Sequence, residues 1–101
     1  MAKKIVITVI ALCLMLGFGP QASKAAESLI IATATTGGTY YPVGVAIGTL
    51  ISIKLAKKHK ITATAINSAG SGENVQMLKN KEAQLAILQS LFGLNAYNGE
   101  G

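Results

Sequence analysis

The 101-residue sequence has no arginine, no aspartate and no tryptophan, and it contains a single cysteine (Cys13) and a single histidine (His59). One thiol and one imidazole cannot build a cysteine–histidine metal centre, and a lone cysteine cannot close a disulfide within the chain. Without arginine the chain lacks the planar fork that reads phosphates and base edges, so a nucleic-acid partner is not expected. The four acids, Glu27, Glu73, Glu82 and Glu100, are spread too widely to form a local catalytic pair. Charge is scarce as well: 13% of residues are charged and 50% are apolar, which excludes a chain kept disordered by its own charge. The length accommodates one small domain at most.

What is present begins with a three-part N-terminus. Met1-Ala2-Lys3-Lys4 is basic, Ile5 to Phe18 is an almost unbroken apolar run, and Gly19-Pro20-Gln21 ends it. Ser23-Lys24-Ala25 then offers small residues where a signal peptidase reads. The pattern predicts a secretory signal peptide over residues 1–25, cleaved after Ala25, and hence a periplasmic or extracytoplasmic product. A retained membrane anchor is the alternative, but the apolar run falls short of the roughly 20 residues a spanning helix needs. Cys13 lies inside the run, after Leu12 rather than a small residue, which disfavours a lipid-anchoring role. Cleavage would leave no thiol, and six lysines against four glutamates, a net charge of +2.

Residues 26–101 alternate in element type. Ser28 to Ala34 is a short apolar run suited to a strand buried on both faces, and Thr35-Thr36-Gly37-Gly38-Thr39 breaks it. From Tyr40 to His59 a helix is expected, with Thr39 as its N-cap and Pro42 in its first turn. Val43, Ala46, Ile47, Leu50, Ile51 and Leu55 would form its inner stripe. Lys54, Lys57 and Lys58 favour its negative end. Ile61 to Ile66 reads as a second strand, Asn67 to Gly72 as a second flexible turn, and Glu73 to Asn80 as a helix capped by Ser71, with Val75 and Leu78 turned inward. Leu85 to Gln89 reads as a third buried strand. The expected class is α/β, a β-α-β-α-β parallel sheet. Leu91 to Gly101 shows neither a helix stop nor a closing strand, so the chain reads as interrupted, with open sheet edges.

Both strand-to-helix loops fall at the carboxyl edge of the sheet, where open parallel sheets bind ligands. Thr35 to Thr39 combines glycines, hydroxyls and the free amides of a helix N-terminus, which together can hold an anion without arginine. Asn67 to Asn74 repeats the arrangement, and Gln89 would join them from the third strand. One of Tyr40 and Tyr41 is expected to pack while the other stands at the mouth of the site. Ordinary capped turns are the plain alternative. The letters fit neither a phosphate loop nor a dinucleotide fingerprint. A nucleophile elbow at Ala69-Gly70-Ser71-Gly72-Glu73 lacks both outer glycines, and His59 sits among lysines far along the chain from Ser71. No catalytic residue, metal ligand or cofactor is therefore assigned. Gly44 and Gly48 share a helix face and are expected to allow close packing against the sheet.

The stretch Ala34-Thr35-Thr36-Gly37-Gly38-Thr39-Tyr40-Tyr41-Pro42-Val43-Gly44 resembles the start of a TAXI-type solute receptor, the extracytoplasmic component of a TRAP transporter. Asn67-Ser68-Ala69-Gly70-Ser71-Gly72-Glu73-Asn74, Glu82-Ala83-Gln84-Leu85-Ala86-Ile87-Leu88-Gln89 and Ala96-Tyr97-Asn98-Gly99-Glu100-Gly101 follow in the family's order and spacing. Two positions depart: Lys81 stands where glycine is usual and Gln84 where aspartate is usual. The resemblance implies a type II periplasmic-binding-protein fold, of which 26–101 would be part of the first lobe. It implies a receptor that captures a small organic acid, such as glutamate or a related dicarboxylate, for an ion-driven membrane permease. By position, Thr36, Gly37, Gly38, Thr39 and Tyr40 would line the ligand cleft, joined by Ser71, Asn74 and Gln89. Such receptors are about three times longer, so the expectation is an N-terminal fragment or a truncated copy. The competing expectation is an exported remnant without a ligand, acting at most through its sheet edge.

Overall fold

A computed structural model describes residues 2–17 and 25–100, the side chains of 13–17 excepted. Its elements are α1 (Ala2–Gly17), β1 (Glu27–Ala32), α2 (Tyr40–His59), β2 (Ile61–Ile66), α3 (Ser71–Lys79), β3 (Leu85–Ala86) and α4 (Ser90–Asn98). The three strands form one parallel sheet in the order β2-β1-β3, the α/β arrangement expected from the sequence. Among the described residues no helix is long and apolar enough to cross a membrane. The expected cleavage stretch, Ala25 apart, and the side chain of Cys13 lie outside the described residues.

β1 is the centre of the sheet and supplies its deepest residues, Ile31 and Ala32, at 2% and 0% exposure. On one side it pairs with β2 along six registered positions, from Glu27↔Ile61 to Ala32↔Ile66. On the other it pairs with β3 only at Ile31↔Leu85 and Ala32↔Ala86.

α2 and β2 have the bounds expected of them, but α2 turns a different face inward. The buried positions are Gly44 and Gly48, while Val43, Ile47 and Leu50 are 43%, 40% and 59% exposed. The helix is apolar on nearly every side, so hydrophobic spacing could not choose its inner face; backbone approach did. A β-carbon on Gly48 would lie 2.9 Å from the Ala63 carbonyl oxygen, and one on Gly44 would overlap the Thr33 methyl. Ser52, one turn on, accepts the Ala63 N–H at 3.0 Å and faces its carbonyl at 3.3 Å. Those Ala63 groups point away from β1, so the helix satisfies part of the open edge of β2. Thr39 is no side-chain cap: its backbone is already helical and its hydroxyl caps nothing.

The second half departs further from expectation. β3 ends at Ala86 rather than Gln89, because the Ile87 carbonyl and the Gln89 amide are taken by side chains instead of a ladder. Ile87 N–H still reaches Ala32 O (3.0 Å), but Ile87 O accepts from Asn74 Nδ2 (2.9 Å) and Gln89 N–H is donated to Ser71 Oγ (2.9 Å). α3 starts two residues early, at Ser71, with Gly70 as N-cap. The φ of Gly70 is +112°, where a side chain would be strained. The largest correction is α4, unanticipated in the stretch from Leu91 onward. Gly99, at φ +73°, is its left-handed stop.

Candidate functional site

The carboxyl edge of the sheet gathers three loops into one cleft of about 430 Å³. Ala34, Thr39 and Tyr40 come from the β1–α2 loop and the start of α2. Ala69, Gly70, Ser71 and Gly72 come from the β2–α3 loop and the start of α3, and Gln89 and Phe92 from the start of α4. Three helices thus begin at this cleft. At each start the first amides lack intrahelical acceptors: Tyr40 and Tyr41 in α2, Ser71 to Glu73 in α3, and Ser90 to Phe92 in α4. Pro42 has no amide to leave unpaired. Among the described residues no lysine, glutamate or histidine lines the cleft itself, and the nearby charge is the Glu73 carboxylate held on the Ala69 amide, so its potential combines three helix poles, neutral donors and that one negative group.

The second loop is locked by its own side chains. Ser68 Oγ accepts Gly70 N–H at 3.0 Å, and the Glu73 carboxylate accepts Ala69 N–H at 2.5 Å. The two amides before the helix are therefore used internally, while those of its first turn stay free. This arrangement replaces the expected cap by Ser71. That hydroxyl instead accepts Gln89 N–H, bringing α3 and α4 together at the cleft floor.

Asn74 lies beneath the cleft and does not line it, contrary to its expected place among the ligand contacts. It is fully buried, at 0% exposure. Its Nδ2 donates to Thr33 O (2.6 Å) and Ile87 O (2.9 Å), with Ala32 O at 3.5 Å. Its Oδ1 is 2.6 Å from Ser68 Oγ, closer than Thr33 O at 3.0 Å, so the single Ser68 proton goes to Asn74. One amide thereby ties the ends of β1 and β3 to the second loop. Among the described residues no buried side-chain polar atom lacks a partner, and this hub is one reason.

Of the other expected site residues, Thr39, Tyr40, Ser71 and Gln89 line the cleft, while Thr36, Gly37 and Gly38 do not. Those three form an exposed turn, closed by Gly38 N–H to Thr35 O at 3.0 Å. The two tyrosines divide: Tyr40 lines the cleft and Tyr41 a groove beside β2, both half-buried. Phe92 was not among the expected residues. Its ring edge stands 3.5 Å from where a β-carbon on Gly72 would be, so it walls the cleft beside the start of α3. Its only signal in the sequence is its place three residues after Gln89, in the first turn of a helix that composition did not reveal.

Residues 31–101 match the model of the NMT1-like family, a periplasmic solute-binding-like family. The match begins within β1 and takes in all three cleft loops. It supports the solute-binding class implied by the sequence resemblance, and the TAXI subdivision is finer than the match itself.

Proposed function

The chain belongs to the NMT1-like family, and from that premise we propose that it is the extracytoplasmic receptor subunit of a TRAP-type transporter of the TAXI kind. In this reading the receptor is exported by a cleavable signal peptide over residues 1–25 and delivers its ligand to an ion-driven membrane permease. The ligand is a small organic acid, such as glutamate or a related dicarboxylate. Residues 26–101 supply part of the first lobe of a type II periplasmic-binding-protein fold. The role is binding, in keeping with a family of binding proteins rather than enzymes.

The observation that carries this reading is the convergence of three helix N-termini on one cleft whose lining residues are all uncharged. Each helix pole favours an anion by roughly 0.5–1 kcal/mol, so three together contribute about 1.5–3 kcal/mol, or roughly 10- to 150-fold in affinity, less what the Glu73 carboxylate in the first turn of α3 offsets. The free first-turn amides, with the Ser71 and Thr39 hydroxyls and the Gln89 amide, provide directional donors for carboxylate oxygens. Tyr40 and Phe92 add apolar walls for a short carbon skeleton.

Calorimetric titration with glutamate and short dicarboxylates, each beside its neutral amide, tests the proposal. The acids are expected to bind and raise the melting temperature, and the amides to bind at least about tenfold more weakly. Equal affinity for acid and amide would remove the helix poles from the explanation.

A further inference from the structure

The end of α2 opposite the cleft carries the densest charge of the chain. Lys54, Lys57, Lys58 and Lys60 fall within seven residues, all exposed. The acid closest in the fold is Glu27, whose N–H bonds Lys60 O at 2.9 Å. The negative pole of α2 offsets about half a charge more, which leaves the corner clearly cationic. On the turn preceding the lysines, Leu50 and Ile53 are 59% and 68% exposed. Positions 50, 53, 54 and 57 follow helical spacing, so the apolar pair and two of the lysines share one outer face.

A solvated helix end would carry lysines without large exposed aliphatics, and a nucleic-acid surface would favour arginine and aromatic rings, both absent from this patch. Basic residues beside exposed aliphatic side chains on one helix face fit a phospholipid interface, with aliphatics in the headgroup boundary and ammonium groups at the phosphates. We infer that the outer face of α2 at Leu50, Ile53, Lys54 and Lys57, with Lys58 and Lys60 flanking it at the helix end, docks on an anionic phospholipid surface. α2 starts at the cleft with Tyr40, so the patch runs from about 15 Å away at Leu50 to about 30 Å away at Lys60. Docking there leaves the cleft open to solution. The inference does not depend on the ligand-binding proposal, since it concerns the other end of the helix.

The absence of tryptophan makes the test local. Ile53→Trp in the full chain places a single indole on the patch, at a position exposed enough to accept it. Tyr97→Trp, at a residue 91% exposed on α4, is the control. Emission is read with vesicles of phosphatidylcholine alone, and of phosphatidylcholine mixed with phosphatidylglycerol, some carrying brominated lipid as quencher. The apolar α1 could itself hold the chain on a bilayer, so burial of the indole, not co-sedimentation, is the readout.

With anionic vesicles the indole at position 53 should shift to the blue and be quenched, while that at position 97 should not. About 0.5 M salt should reverse the change by screening. Replacing Lys54, Lys57 and Lys58 together with glutamine should weaken docking about 100-fold and abolish the shift. An indole that stays wet with anionic vesicles overturns the inference. So does equal burial with neutral vesicles. A shift without vesicles that grows with protein concentration also overturns it, because a second copy would then cover the face.

Discussion

On one side of β1 stands a strand of six residues paired position for position; on the other stands a strand of two, and side chains complete the seam. The β2 side is backbone against backbone, closed from above by a helix whose glycines touch the strand. On the β3 side, Gln84 N–H bonds Ile30 O at 3.1 Å, and the Gln84 side-chain oxygen accepts Ile30 N–H at 2.8 Å. That side-chain oxygen takes the place of a strand carbonyl. Three residues later Ile87 N–H takes Ala32 O, and Asn74 gathers the carbonyls beyond. The β2 flank therefore depends on close approach, and the β3 flank on a few amide side chains. The cleft lies where both flanks end, so its geometry inherits both dependences.

The comparison can be broken most severely at Asn74. Asn74→Asp replaces a donor to two buried carbonyls with a carboxylate facing them, and should cost more than about 3 kcal/mol, loosening β3 and α4 first. Hydrogen exchange at Ile87 and Gln89, compared with Thr62 and Thr64, whose amides face β1, reads which flank opens. Gly48→Val attacks the other flank: the new side chain meets the Ala63 carbonyl and should cost about 2–3 kcal/mol in urea unfolding, with β2 amides exposed first. Gln84→Ala removes one side-chain bond to an edge-facing amide and should cost about 1 kcal/mol by the same measurement.

The smallest effect should be a gain. Lys81 sits at φ +60°, a left-handed conformation that a lysine adopts at a cost. Lys81→Gly should raise the urea midpoint by the equivalent of about 0.5 kcal/mol, after the entropy that glycine loses on folding. This gives a structural sense to one departure from the TAXI pattern, and Gln84 to the other. The first places a side chain where glycine is easier, and the second splints a short strand.

These residues also mark what the sequence could and could not disclose. α2 and β2 were legible to the residue because Pro42, the lysine-rich end and the Ile-Thr-Ala alternation are local signals. The inner face of α2 was not legible, since an all-round apolar helix leaves the choice to backbone contact at Gly44 and Gly48. α4 was hidden because Gly93 and Asn95 dilute its helical character and the glycine at 99 reads equally as a turn. The cleft was legible as an edge of the sheet and at Thr39, Tyr40, Ser71 and Gln89. Asn74 was misplaced because an asparagine after Ser-Gly reads as a polar loop residue. Only the fold reveals that it lies beneath the loop, bonded on every side.

The central claim is that α2, α3 and α4 together present free amides to one acidic ligand. The most direct measurement is amide chemical-shift mapping of the 15N-labelled protein during titration with glutamate or a short dicarboxylate. The account predicts shifts concentrated at Tyr40 and Tyr41, Ser71 to Glu73, and Ser90 to Phe92, saturating at a common ligand concentration. Shifts confined to one of these helix starts, or gathered at Lys54 to Lys60, would contradict it.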